Sequence, residues 1–233
     1  MKKTLLFLSI LFIASCAELQ QVVNQMPQNV PITNEQIAAG LREALQKGID
    51  LQVTKLSKED GFFKNELVKI LLPEELRKVD KTLRDIGLDN LADEGLRVLN
   101  RAAEDAVSEA TPVFINAVKG ITFADAKTIL FGNDEAATNY LRTTTQKELY
   151  DRFHPIIQKS FSKVGADMVW SELIQRYNSI PLTTDVNPDL TDYVTREALS
   201  GVYVMIALEE KEIRNKISSR TTDLLRKVFA MQD

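Results

Sequence analysis

Apolar residues recur every three or four positions over most of the chain after Thr33, which is the period of an α-helix. The run Thr33-Asn34-Glu35-Gln36 is a capping box, a pattern that satisfies free N–H groups where a helix begins. One face of that helix then carries Ile37, Leu41, Leu45 and Ile49. No alternating two-residue pattern typical of a strand runs for any length. The pattern predicts an all-α fold, a compact irregular bundle of about eight or nine helices.

Proline, glycine and capping residues divide the pattern into separate helices. Pro73 predicts a helix start, and Gly87 predicts a helix end in the left-handed conformation. Pro112 should kink or break the segment from Asn90 to Lys119, because proline lacks the N–H that a helix interior uses. Thr145-Gln146-Lys147-Glu148 is a second capping box and predicts that a new helix begins there.

The most apolar stretch of the predicted domain runs from Ala198 to Leu208, where Ser200 is polar and Tyr203 is amphipathic. A bilayer-spanning helix needs about 20 apolar residues, so this stretch is too short to span a membrane. We therefore predict a central apolar helix near residues 190–214, buried by its neighbours on most sides.

The N-terminus has the three parts of a secretory signal. Lys2 and Lys3 precede an apolar run from Leu5 to Ile13, and Ile13-Ala14-Ser15-Cys16 resembles the bacterial lipobox. This resemblance implies cleavage before Cys16 and acylation of its thiol; an ordinary secretory signal with an incidental cysteine is the alternative. We predict a lipoprotein signal peptide at 1–15, a flexible tether at 16–32 and a single all-helical domain at 33–233.

Composition narrows the chemistry of this domain. The 233 residues include one cysteine and one histidine, which leaves no internal disulfide, thiolate zinc site or multi-histidine metal site. Because 29 basic residues face 33 acidic ones, no excess positive charge favours nucleic acid as a partner. We expect no cofactor and no metal, and the composition leaves the oligomeric state open.

Several ordered motifs resemble one bacterial family, domain of unknown function 4197, whose members are often lipidated or secreted. The motifs that carry the resemblance are Leu56–Phe63, Asn100–Glu104, Asp125–Leu130, Ala136–Arg142, Asp189–Thr195, Glu209–Arg214 and Arg220–Leu225. They extend over most of the predicted domain. The resemblance implies no reaction, substrate or cofactor.

Charged and hydroxyl side chains in otherwise apolar segments form the candidate ligand or ion-pair cluster. Arginine presents a planar fork that matches carboxylate or phosphate, so convergence of these residues would create an anion pocket; an internal ion-pair network is the alternative. For two of them a local role is favoured, in which Thr145 caps a helix and Arg142 pairs with a core-facing acid. Helix-face pairs are expected for Glu210 with Arg214 and for Arg101 with Asp105. The cluster comprises Arg101, Glu104, Arg142, Thr145, Glu210, Arg214 and Arg220.

Three weaker signals complete the set of candidates. Phe62 and Phe63 follow a turn and cannot both point to one side of a helix, so we expect one to pack under the domain and the other to be a candidate partner contact. His154 is the only candidate general base, and a hinge or surface position is favoured. The acidic residues from Asp185 to Asp192 begin like a calcium loop but lack its glycine and final glutamate.

The sequence favours a membrane-tethered envelope lipoprotein that acts as a non-enzymatic binding or scaffold module. Its expected partners are the membrane, through lipidated Cys16, and an envelope protein or a small anionic ligand. The absence of aspartate after Cys16 resembles the sorting rule for the outer membrane, with the domain facing the periplasm. The alternative is a hydrolase or transferase that uses carboxylate and arginine side chains in a helical cleft.

Overall fold

The computed structural model describes residues 32–77, 81, 84, 85, 87, 89–164 and 190–233. Contacts divide the chain into two units, Met1–Thr33 and Asn34–Asp233, and the fold described below is that of the second unit. Cys16 and the acidic residues from Asp185 to Asp189 lie outside the described residues.

The described part of the chain is helical and contains no strand, which confirms the predicted all-α bundle. Seven α-helices are present there, slightly fewer than expected, and short 3₁₀ turns lie at Glu74–Leu76 and Ile217–Ser219. The helices are α1 (Asn34–Leu56), α2 (Asp89–Val107), α3 (Ala110–Gly120), α4 (Phe123–Leu130), α5 (Ala136–Val164), α6 (Leu190–Asn215) and α7 (Asp223–Phe229).

Two local signals placed helix boundaries wrongly. Thr145 lies inside α5, which also continues through Pro155, so one helix stands where two were predicted. Pro112 does not break a helix, because it lies in the first turn of α3, where N–H groups have no intrahelical acceptor. The actual break comes earlier, in the turn at Ser108 and Glu109.

Helix α6 is the central helix of the described unit, as its apolar sequence predicts. It packs against α5, α1 and α2, and its inward side chains, such as Val194 and Val202, are fully buried. Gly201 permits close packing of Phe62 against α6, because a Cβ added there would lie 2.7 Å from the ring of Phe62. Within the described residues, no helix is both long and apolar enough to cross a membrane.

Helix α2 contributes a face of alanine residues to the core. Ala102 and Ala106 are buried, and this face lies against α5 and α6. Asn100 on the same helix holds the extended segment that precedes the Glu74–Leu76 turn, since its side chain accepts from Ile70 N at 2.8 Å and donates to Ile70 O at 2.9 Å. These bonds satisfy backbone groups that burial would otherwise leave unpaired.

Candidate functional site

Hydrogen bonds and ion pairs link the seven residues of the predicted cluster into three separate groups. Arg101 bonds to Glu104, and Thr145 and Arg142 both contact Tyr203. The third group comprises Glu210, Arg214 and Arg220. Each group therefore has its own partners, and the structure shows three sites rather than a single arginine pocket.

Glu104 holds the turn that carries the two adjacent phenylalanines. Its Oε1 accepts from the backbone N of Phe62 at 3.0 Å and of Phe63 at 3.3 Å, and its Oε2 accepts from Asp60 N at 3.2 Å. Arg101 donates to the same carboxylate at 2.8 Å. These donors replace water and allow Glu104 to be 97% buried, with a relative exposure of 3%. The pairing expected between Arg101 and Asp105 is wrong, because the Arg101 guanidinium instead contacts Glu104 and the acidic side chains of the turn at Glu59 and Asp60.

The two phenylalanines take different environments, as their adjacency predicts. Phe62 is fully buried and packs next to Gly201. Phe63 is partly exposed, and the Lys69 ammonium and the Arg97 guanidinium each lie 4.7 Å from its ring centroid. Burial removes Phe62 from any surface contact, while a partner contact through Phe63 stays a prediction.

Glu210 and Arg214 form a buried clamp between two helix ends. Glu210 accepts from the backbone N of Ala137 at 2.9 Å and of Thr138 at 2.8 Å, which are free N–H groups in the first turn of α5. Arg214 pairs with Glu210 at 2.7 Å and donates to the carbonyl of Leu130 at 3.0 Å, at the end of α4. The expected helix-face pair exists, but it lies in the core and joins three helices.

Arg220 is also buried and fully bonded. Its guanidinium donates to the carbonyls of Ile213 at 3.0 Å and Arg214 at 2.7 Å, near the end of α6. It also binds Asp233 through two contacts at 2.6 and 2.8 Å. The hydrogen bond from Arg220 lowers the pKa of the Asp233 carboxyl. Arg220 therefore ties the end of the described chain to α6.

Thr145 and Arg142 contact Tyr203, and neither takes the local role favoured by the sequence. The Thr145 hydroxyl donates to the Leu141 carbonyl at 2.6 Å and lies 2.8 Å from the Tyr203 hydroxyl. Burial raises the pKa of Tyr203. The guanidinium of Arg142 lies 4.8 Å from the Tyr203 ring centroid and is exposed. Among the described residues, no carboxylate lies within ion-pair distance of Arg142.

Helices α5 and α6 run antiparallel and frame an open groove beside Arg142. Tyr150 bonds to Asp192 near one end of the pair, while Thr138 bonds to Glu210 near the other. The groove has a volume of about 560 Å³. We call it the basic groove; its lining residues are Arg142, Thr143, Gln146, Lys147, Tyr150, Arg196, Leu199, Ser200 and Tyr203.

Three cations and no carboxylate line the basic groove among the described residues. Lys147 pairs with Asp151 at 2.6 Å and Arg196 pairs with Asp192 at 3.0 Å, but neither acid is part of the lining. Hydrogen bonds from Arg196 and Tyr150 hold the Asp192 carboxylate, and these bonds, that of Arg196 first, also lower its pKa. The groove therefore presents positive charge. Among the described residues, Lys147 and Arg196 each have an acidic partner, whereas Arg142 has none.

A second groove continues from the first and shares Arg142 and Tyr203 with it. It has a volume of about 300 Å³. We call it the distal groove; its other lining residues are Asp134, Glu135, Val204, Ala207, Leu208 and Lys211. Arg142 thus lies where a basic surface meets a surface that is partly apolar.

The other candidates for catalysis or metal binding lie in positions that offer little room or few partners for such chemistry. Glu209 and Glu210 both line a cavity of only about 20 Å³, which has room for about one water molecule. His154 lies 5.6 Å from the ring of Tyr150, measured between centroids. No group of three or more histidine, cysteine or carboxylate side chains suited to a metal is present within the described ranges.

The sequence pattern did not indicate Lys147, Tyr150 and Arg196 as groove residues. The available signal is the face of α6 that carries Arg196, Ser200 and Tyr203 at helical spacing. That spacing shows which residues share a face of α6. It cannot show which part of α5 lies beside it.

Comparison with known proteins places the chain in a family. A family model described as "Protein of unknown function (DUF4197)" matches residues 31–230. No curated protein and no solved structure matches the chain. Because the match covers most of the chain and confirms the resemblance of its motifs, this protein belongs to the DUF4197 family.

Proposed function

We propose that this protein is a lipid-anchored binding module of the bacterial cell envelope whose basic groove holds an anionic ligand. The observation that carries the proposal is a groove lined by Arg142, Lys147 and Arg196 with no carboxylate among its described lining residues. Its volume of about 560 Å³ lies within the range common for small-molecule sites.

Arg142 is the residue most suited to contact the ligand. Stacking on Tyr203 restrains the guanidinium without occupying its N–H donors. A planar guanidinium can donate two parallel hydrogen bonds to a carboxylate or a phosphate. An anion beside Arg142 would also meet the positive charges of Lys147 and Arg196.

A binding role has more support than a carboxylate-based hydrolase or transferase. Glu104 and Glu210, the two buried carboxylates of the predicted cluster, each accept hydrogen bonds from backbone N–H groups and pair with an arginine. These contacts provide hydrogen-bond partners for the buried oxygens of both carboxylates and account for both residues structurally. The cavity beside Glu210 is also too small for a substrate.

Binding of inorganic phosphate to the full-length chain tests the groove. The chain should carry Cys16→Ala, so that no acyl chain enters the assay. Loss of one charge-assisted contact should weaken phosphate binding by about tenfold in Arg142→Gln. Lys159→Gln is the matched control, since it removes one exposed positive charge from α5 outside the groove. Equal affinity in the two variants, or no phosphate binding at all, would contradict the proposal.

The membrane anchor is tested separately in cells. The support is the lipobox-like run that ends at Cys16, the single cysteine of the chain. A labelled fatty acid should be incorporated into the wild-type protein and found in the outer-membrane fraction. Cys16→Ala should lose both the label and the membrane association. Persistent labelling of that variant would refute acylation at Cys16.

A further inference from the structure

An exposed apolar strip borders the basic groove. Val204 and Leu208 retain 38% and 40% of their exposure, and they lie four residues apart on one face of α6. Both line the distal groove with Ala207. Large apolar side chains held next to a cationic surface suit a ligand that has one charged end and one apolar end.

The two surfaces form one continuous path along α6. Arg196, Ser200 and Tyr203 line the basic groove, and Tyr203, Val204 and Leu208 line the distal groove, so the two grooves follow successive turns of α6. At a rise of about 1.5 Å per residue, the path from Ser200 to Leu208 is roughly 12 Å long. Arg142 on α5 lines both grooves and lies beside this path.

The geometry points to an anionic amphiphile as the ligand, with its phosphate or carboxylate head beside Arg142, Lys147 and Arg196 and its apolar part on Val204, Ala207 and Leu208. This inference rests on the proposed function and specifies its ligand. The apolar part of such a ligand would contribute binding free energy through contact with the strip, and a free inorganic anion lacks this contribution.

Charge sets the orientation of the ligand. The distal groove is lined by two carboxylates, Asp134 and Glu135, as well as by the cations of Arg142 and Lys211, so it presents no excess positive charge to an anionic head. The basic groove has no carboxylate among its described lining residues, so the head is favoured at that end. The apolar part then extends along α6 towards Leu208.

The size of the apolar strip favours an amphiphile over a protein partner. A stable protein interface buries about 800 Å² on each side, with large side chains at its centre. Among the described residues, the exposed large apolar side chains of the distal groove are Val204 and Leu208. Such a strip can cover a short hydrocarbon chain, whereas a protein surface would need a larger apolar area.

Calorimetric titration of the full-length Cys16→Ala chain with three soluble probes tests this inference. The probes are inorganic phosphate, dihexanoyl phosphatidic acid and dihexanoyl phosphatidylcholine, which separate the effect of the anionic head from that of the tail. Phosphatidic acid should bind at least about tenfold more tightly than phosphate, because methylene groups leave water on binding. It should also bind more tightly than phosphatidylcholine, whose head group carries no net charge.

Two variants locate the tail. Leu208→Ser should weaken binding of the phosphatidic acid about three- to tenfold and leave phosphate binding unchanged, since only apolar contact is lost. Leu51→Ser is the matched control, because Leu51 is 51% exposed on α1 and lines neither groove. Thermal unfolding of both variants checks that the fold is retained.

The outcomes distinguish this inference from the proposed function. Equal binding of phosphate and phosphatidic acid, both weakened by Arg142→Gln, would overturn the amphiphile and leave a free anion as the ligand. Equal binding of the phosphatidylcholine probe would overturn the role of the anionic head. An unchanged affinity for phosphatidic acid in Leu208→Ser would overturn the placement of the tail. Failure of phosphate to bind would overturn the proposed function itself.

Discussion

The buried clamp formed by Glu210 and Arg214 makes the sharpest prediction about stability. Glu210→Gln keeps the shape of the side chain but removes its charge and one acceptor oxygen. The native carboxylate accepts from two backbone N–H groups of α5 and pairs with Arg214 at 2.7 Å, with both side chains about 95% buried, at relative exposures of 4% and 5%. The variant would therefore leave the buried guanidinium without its counter-charge.

The expected loss of stability is large. Removing one partner of a buried ion pair typically costs about 3–5 kcal/mol. The total free energy of unfolding of a domain is only about 5–15 kcal/mol. For a domain of this size each kcal/mol lowers the melting temperature by about 2–4 °C, so Glu210→Gln should melt roughly 6–20 °C below wild type.

Urea and thermal unfolding followed by circular dichroism measure this loss, and Glu212→Gln provides the matched control. Glu212 lies on the same helix and pairs with Lys216 at 2.6 Å, but the two side chains are 45% and 59% exposed. Exposed pairs contribute about 0–1 kcal/mol, so this control should remain close to wild type. Similar losses in the two variants would refute the importance of burial.

A double variant distinguishes the clamp from an ordinary buried pair. Replacing both partners of a buried pair with apolar residues is often neutral. Here Glu210→Leu with Arg214→Met should be no more stable than the single variant, because N–H groups of α5 and carbonyls of α4 would lose their partners. Recovery of wild-type stability in the double variant would show that the helix ends do not need this pair.

Four further substitutions test local features of the structure. Gly95 lies on α2 with open space where a Cβ would be added, so Gly95→Ala should raise the free energy of unfolding by about 0.5–1 kcal/mol. Gly201→Ala should lower it by about 1–3 kcal/mol, because the added Cβ would meet the buried ring of Phe62. Urea unfolding measures both changes. Thr122→Ala removes the capping box of α4 and should cost about 1 kcal/mol by the same measurement. Hydrogen bonds lower the folded pKa of Asp192, so its contribution is present above the unfolded value of about 3.9 and is lost as pH falls through the folded value. Asp192→Asn should therefore melt below wild type at neutral pH, and the difference should disappear in strong acid.

Local sequence signals predicted the helices best where nothing distant competes with them. Thr122 caps α4 as its capping box with Asp125 indicates, because both members lie at an exposed helix start. Thr145 has an equally good local signal, yet it lies inside α5 and its hydroxyl contacts Tyr203 at 2.8 Å. Tyr203 lies on another helix, so no short window of sequence contains the information that decides between these two roles.

The burial of Glu104 also depends on a contact with residues that are distant in the sequence. Its helical position indicates a polar surface, because neighbouring Arg101 and Asp105 lie on that side of α2. The turn at Asp60 and Phe62 then supplies backbone donors from a distant part of the chain. A carboxylate can be buried only where such donors replace water, so its environment follows from the tertiary contact and not from helical spacing.

The candidate groove combines both kinds of information. The face of α6 from Arg196 to Leu208 is readable in the sequence, since its polar and apolar members follow helical spacing. The position of Arg142 beside Tyr203 depends on the antiparallel packing of α5 on α6, which the sequence does not encode locally. Because this packing cannot be predicted from local sequence, an acidic partner was expected for Arg142 instead of the ring of Tyr203. Its stacking on Tyr203 leaves the guanidinium donors available beside an apolar strip, and that combination supports an anionic amphiphile as the ligand.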